Sequence, residues 1–196
     1  TTETYTLSLH DALPISAGTG TLTVGTTTTT VTNPKLDNTS GSAMTIANAV
    51  SFIAGYNGTN TFIGTDDLTI NGDVNLNSQK HLVVSDGTLE FAGTWHATTT
   101  ANIYKDGAGT LTLSGQNTDT AGTLLLTAGT LNIASDQALG TGKTLRFYNS
   151  TGTLDAIDGD HTVGASLNIT NSGTTTFKGT NSLAIKIGRA SCRERV

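Results

Sequence analysis

Short runs in which apolar and polar residues alternate recur along most of the chain, each introduced by Gly, Asp or Asn. They include "GTLTV" (20–24), "DLTINGDVNL" (67–76), "HLVVSDGTLEFAG" (81–93), "GTLTLSG" (109–115) and "GTLLLTAGTLNIAS" (122–135). Further on come "KTLRFYN" (143–149), "GTLDAID" (152–158), "SLNIT" (166–170) and "GTTTFKG" (173–179). Most place Leu, Ile, Val or Phe at every second position with Thr or Asn between, the period that buries one face of a β-strand and wets the other. Residues 25–66 are less regular. There "AMTIANAVSFIA" reads as two more strands, with Met44 and Ile46 inward and, after a slip, Val50 and Ile53.

The spacing of the runs predicts how the strands assemble. Leu68, Leu89, Leu111, Leu131 and Leu154 follow one another at steps of 20 to 23 residues, and Leu124, Leu145 and Leu167 form a second such series. A fixed period in the low twenties with several strands per period marks a solenoid, in which each residue stacks on its equivalent one coil away. About eight coils at about 4.8 Å per rung would make a rod on the order of 40 Å long. A β-sandwich is the competing arrangement. The regular "GTL" units and the scarcity of tight NG or DG hairpins favour the solenoid.

Composition agrees: 41 of the 196 residues are Thr and 23 are Gly, whereas Glu, Lys and Arg are scarce. β-Branched Thr favours strands, and Gly and Asn supply turns, so the fold class is all-β. No apolar run reaches the roughly 18 residues that span a bilayer as a helix.

The two ends differ from the body. "TLSLHDALPI" (6–15) can be encoded by a DNA segment whose inverse complement, in another frame, encodes the closing "IGRASCRERV" (187–196). That segment resembles a common sequencing-library adapter, whose upstream continuation encodes TTEIY against the TTETY at the start of this chain. The expected organisation is therefore an adapter-derived 1–16, a native body of 17–185 and an adapter-derived 186–196, the flanks to be set aside as a fusion scar would be. Neither flank is expected to join the stacked core.

Setting the flanks aside changes the chemistry. The single cysteine, Cys192, leaves with them, and with it any disulfide, thiol nucleophile or Cys-based metal site. The body keeps 12 acidic and 6 basic residues, a mildly acidic balance with nothing to attract nucleic acid or an anionic membrane.

The segment "KDGAGTLTLSGQNTDTAGTLLLTAGTLNIASDQALGTG" (105–142) closely resembles the autotransporter-associated β-strand repeat, also called the passenger-associated transport repeat. Gly107 to Gly115, Asn117-Thr118, Ala121-Gly122-Thr123, Ala128 to Leu131 and Ala138 to Gly142 match its pattern in order. Asp119 stands where the family usually has an aromatic, and Ala121 where it usually has a second Gly. The resemblance covers about 38 residues. It implies a right-handed, single-stranded parallel β-helix in a large exported bacterial surface protein, secreted or held at the outer membrane by a C-terminal barrel. The repeat is associated in that family with secretion and folding of the passenger. The implied partner of the full-length protein is a host-cell or extracellular glycan surface, with no nucleic acid.

Candidate chemistry is sparse, and the expected role is structural and non-enzymatic. "GTGKT" (140–144) lacks the Gly at 137 that a phosphate loop needs, and the repeat's own ending accounts for its glycines. "DAIDGDHT" gathers Asp155, Asp158 and Asp160 beside His161, hard oxygen donors that make a Ca²⁺ candidate, although the spacing fits neither an EF-hand nor a GGxGxD repeat. His81, His96 and Glu90 lie close in sequence with no third partner at a defined spacing. A polysaccharide-active β-helix enzyme, the alternative reading, needs carboxylates clustered with Lys or Arg, and the body's Lys35, Lys80, Lys105, Lys143, Arg146 and Lys178 are scattered. Trp95, Tyr104 and Tyr148 are candidates for sugar contact. Thr21/Thr23, Thr110/Thr112 and Thr174/Thr176 resemble the pairs of ice-binding solenoids without repeating in every coil. No catalytic residue and no cofactor is expected.

Overall fold

An alternating strand can bury its apolar face only against another such face, and here the chain does so by winding onto itself. The computed structural model describes residues 6–9, 20–25, 33–53, 58–76, 80–97, 102–117, 122–148, 151–170 and 173–185. Its strands fall into successive coils. The first holds β1 (Thr6–Leu9) and β2 (Leu22–Gly25); the second β3 (Lys35–Asn38), β4 (Met44–Ile46) and β5 (Val50–Ile53); the third β6 (Thr59–Phe62), β7 (Leu68–Ile70) and β8 (Val74–Leu76). The fourth holds β9 (Lys80–Val84), β10 (Thr88–Phe91) and β11 (Trp95–Ala97); the next two hold β12 (Asn102–Asp106) with β13 (Thr110–Leu113), and β14 (Thr123–Leu126) with β15 (Thr130–Ile133). The last two hold β16 (Thr144–Tyr148), β17 (Thr153–Ala156) and β18 (His161–Val163), then β19 (Ser166–Thr170), β20 (Thr176–Lys178) and β21 (Leu183–Ile185).

Every pairing is parallel and joins one coil to the next, so the fold is an all-β parallel solenoid. The first wall is an eight-stranded sheet running from β1 through β3, β6, β9, β12, β14 and β16 to β19. The second runs from β4 through β7, β10, β13, β15 and β17 to β20. The third wall is interrupted: β2, β5, β8 and β11 form one sheet, and β18 with β21 another.

Both leucine series stack as their spacing predicts. Leu68 pairs with Leu89, Leu89 with Leu111, Leu111 with Leu131 and Leu131 with Leu154. Leu124 pairs with Leu145, and Leu145 with Leu167. These columns and their neighbours Ile70, Phe91, Leu113 and Ile133 form one continuous core. A seam among Leu76, Trp95, Leu111 and Leu124 is too narrow to admit a water. "AMTIANAVSFIA" does form two strands, but without the slip: Val50 and Phe52 are buried, and Ile53 is not. Uninterrupted alternation from Val50 suffices to put Phe52 inside.

Two kinds of corner hold the rungs at register. The turn from the first wall to the second has Gly107 at φ +80, a left-handed conformation that side chains rarely adopt. At the far end of the second wall, Gly72, Gly93 and Gly115 stack in a column. A Cβ on Gly93 would collide with the Gly72 carbonyl, and one on Gly115 with the Gly93 carbonyl. Only Gly allows the backbones so close.

The ends are unequal. β1 pairs with β3 across four registered residues, so this part of the N-terminal flank joins the sheet, contrary to the sequence-based expectation. The reason is that parallel-ladder bonds are made by the backbone, and an open edge accepts any extended segment. The C-terminal flank, 186–196, lies outside the described residues. In the last coil Ile169 and Phe177 are 52 % and 55 % exposed, whereas their register partners Phe147 and Leu154 are buried.

Candidate functional site

The fold decides which polar side chains can meet. His81, Glu90 and His96 sit on β9, β10 and β11, three walls of one coil, with Leu82, Leu89 and Trp95 filling the inward positions between them. They therefore face three different directions. What the stacking does assemble is a cluster on the outside of the first wall. His81 Nδ1 lies 2.6 Å from Asp106 Oδ2, one coil on. The His81 ring stacks on that of its register partner Tyr104, with centroids 4.4 Å apart and planes 10° from parallel. Thr127 Oγ1 bonds the Lys105 carbonyl at 2.7 Å and also contacts Asp106 Oδ1. Both carboxylate oxygens are thus occupied. Asp106 holds His81 through Nδ1, and among the described residues no hydroxyl is bonded to Nε2. Further along this wall Arg146 lies over Tyr148, 4.9 Å from the ring centroid, and its Nε donates to Thr170 Oγ1 at 2.9 Å.

Among the described residues, two basic side chains are inside. Lys105 occupies an inward position between Leu82 and Leu126 and is wholly buried. Its Nζ donates to the carbonyls of Asp106 (3.0 Å), Gly107 (3.1 Å) and Ala128 (3.2 Å), tying one corner to the next coil. Burial pushes its pKa down from 10.5 to about 8, against the opposing pull of the Asp106 carboxylate. Lys143, from "GTGKT", is buried too, with Nζ 4.4 Å from the centre of the Trp95 ring. It faces the core, so this lysine is not presented to a phosphate. Trp95 is itself 2 % exposed and donates from Nε1 to the Ala138 carbonyl at 2.8 Å. That removes it from the sugar-contact candidates and leaves Tyr104 and Tyr148 outside.

The acidic turn is spread out. Asp155 lies on β17 with Oδ1 buried against Gly179 and without a hydrogen bond. Asp158 stands at φ 62 and is exposed. Asp160 Oδ1 accepts from the Ser182 backbone N–H at 2.6 Å, and His161 binds Asp136 Oδ1 (3.1 Å) and the Ile157 carbonyl (2.8 Å). Among the described residues no group of three or more His, Cys, Asp or Glu side chains converges as a metal site would. Asp136 also accepts from the Thr162 N–H at 3.0 Å, and that bond, with the His161 contact, holds its carboxyl below the ordinary value.

These contacts belong to a pattern that the sequence did not announce. Asp37, Asp67, Asp136 and Asp160 each accept from a backbone N–H 21 to 28 residues further on, at Thr65, Thr88, Thr162 and Ser182. The signal available was the recurrence of Asp at strand boundaries.

The outward column of the second wall reads Thr69, Glu90, Thr112, Asn132, Asp155, Lys178. Glu90 is held by the hydroxyls of Thr69 (3.1 Å) and Ser114. Three rungs, or about 14 Å, separate it from Asp155, wider than the roughly 5–10 Å between the paired carboxyls of glycoside hydrolysis. Beside it Thr88, Thr110, Thr130, Thr153 and Thr176 stack without a break. The single Thr column repeats in every one of these coils, while the second position of each would-be Thr-x-Thr pair varies.

No family model matches the sequence, and no curated protein or solved structure is similar to the chain.

Proposed function

We propose that this chain is a structural stalk segment of a secreted or surface-exposed bacterial passenger of the autotransporter type, non-enzymatic, with no cofactor of its own. The observation that supports the reading is the repeat-like segment 105–142. Its strands β13, β14 and β15 occupy successive rungs of two walls, and Leu111 stacks on Leu131 within it. A motif of that form is a folding unit of a stack, not a binding loop. Lys105, its first residue, ties the corner at which the unit begins. Because a solenoid grows coil by coil, such a unit suits a chain that folds as it emerges from a pore. Adhesion to a host-cell or extracellular glycan surface belongs to the full-length parent, and membrane attachment to a C-terminal barrel of that parent.

Deleting 105–142 from the full-length parent tests the reading. Loss of surface display is expected, and undiminished display refutes the export role. The flanks 1–16 and 186–196 are, on this reading, translated adapter, and a genomic frame that ran unbroken through both junctions would overturn that.

The rival reading, a polysaccharide-active enzyme fragment, draws on His81 and Asp106, a His–carboxylate pair on the outer face of the first wall. It requires turnover of a polysaccharide that Asp106→Asn abolishes.

A further inference from the structure

The glycine column at the far end of the second wall holds one member unlike the others. Gly93 and Gly115 follow Ala92 and Ser114, and their N–H groups are already spent. Gly93 donates to the Ile70 carbonyl at 3.1 Å, and Gly115 to the Phe91 carbonyl at 3.1 Å. Gly72 departs on both counts. It follows Asn71, whose side chain is exposed, and only the Asn71 N–H reaches the coil before, at the Ile46 carbonyl (2.8 Å). Among the described residues, neither the Gly72 N–H nor the Asn71 carboxamide makes a hydrogen bond.

These are the conditions for closing a cyclic imide. The Gly72 nitrogen, once deprotonated, attacks the Asn71 carboxamide carbon; a C–N bond closes the succinimide ring and the side-chain nitrogen leaves as ammonia. Water then opens the ring at either carbonyl, giving aspartate or, with the backbone rerouted through the side chain, isoaspartate. Base and water suffice. Glycine puts no side chain in the path of attack, and an N–H held by a carbonyl would first have to give up that bond. The same packing keeps the reactive pair in place, because a Cβ on Gly72 would lie 2.1 Å from the Asn48 carbonyl oxygen.

We propose that Asn71 is a site of spontaneous deamidation and isoaspartate formation in the folded protein. The isoaspartyl link lengthens the backbone by a methylene at the corner between β7 and β8. The next layer has little room to follow, since even a Cβ on Gly93 would come within 2.2 Å of the Gly72 carbonyl oxygen.

Incubation of the full chain in mildly alkaline buffer, then proteolysis and fragment-ion mass spectrometry, tests this against the same chain unfolded in urea. Folded-state conversion at Asn71 is expected within about tenfold of the unfolded rate, whereas a reaction that had to await global unfolding would be slower by about a thousandfold or more. Isoaspartate should form beside aspartate, and the isoaspartate fraction should unfold at lower urea than the intact chain. Asn71→Gln, whose longer side chain closes a larger and slower-forming ring, should stop the conversion. The fragment ions separate Asn71 from the chain's other Asn-Gly pair, Asn57-Gly58, of which Asn57 lies outside the described residues. Thousandfold protection by the fold, or aspartate without isoaspartate, would overturn the proposal. An isoaspartate fraction as stable as the intact chain would overturn its effect on the corner.

Discussion

Lys105 offers the sharpest test of how the interior is held together. Its amine is wholly buried among leucines and is satisfied by three backbone carbonyls, and its pKa is lowered from 10.5 to about 8. In the unfolded chain the same lysine keeps its proton until about pH 10.4. Between pH 8 and pH 10 the unfolded state therefore binds the extra proton, and stability must rise with pH. Below pH 8 both states are protonated and the folded state bears the full desolvation penalty. Two pH units at about 1.36 kcal/mol each give an expected gain of about 2–3 kcal/mol across that window. Lys105→Met should abolish the gain. At pH 7 the variant escapes the penalty but leaves three carbonyls without their donor, each costing about 1–3 kcal/mol when buried; the net is a loss of about 2 kcal/mol. Urea unfolding followed by fluorescence of the single, buried Trp95 reads both effects. Stability profiles of the two proteins that run parallel from pH 8 to pH 10 would refute the reasoning.

Four further outcomes are expected. Gly93→Ala, which drives a methyl into the Gly72 carbonyl, should cost about 2–4 kcal/mol in urea unfolding. Gly41→Ala, with open space around its Cα but φ +80, should cost only about 1 kcal/mol. Trp95→Phe strips the Ala138 carbonyl of its donor and weakens the contact with Lys143, so a loss of about 2–3 kcal/mol is expected in chemical unfolding followed by circular dichroism. Asp136, whose pKa lies below the ordinary carboxylate value, contributes stability that is fully present above that ordinary value and is lost as pH falls through its lowered folded-state pKa; Asp136→Asn should flatten the acid limb of the stability profile.

The walls were legible because period-two alternation and a period in the low twenties are both local properties of the sequence. Leu89 and Leu111 announce their stacking without any knowledge of the third dimension. The same two rules, applied to polar residues, place Lys105 inside: it lies two residues after Ile103 and 21 before Leu126. Composition-level counting hid this, because it treats every lysine as surface charge. Trp95 was misread for a related reason. "TWHATTT" shows too little alternation to reveal its inward side, and only pairing with Val74 fixes it. The His81–Asp106 pair depends on a diagonal between coils 25 residues apart, which the spacing could have suggested but the rotation of each side chain decides. Asp155, Asp158 and Asp160 were close in sequence yet took separate roles, since a corner turns neighbouring side chains away from one another.

The aspartates that reach forward to an N–H of a later coil give the chain a direction. Asp67 and Asp160 are completed only when Thr88 and Ser182 arrive. The coils that carry Asp37, Asp67, Asp136 and Asp160 thus each hold a charged acceptor waiting for a donor that has yet to be laid down, and placing that donor fixes the start of the next layer. Assembly from the first coil toward the last finds these four junctions primed in advance, while Asp66 reaches back to the Gly41 N–H. In the opposite order, each newly laid carboxylate would have to find an amide already committed to the stack.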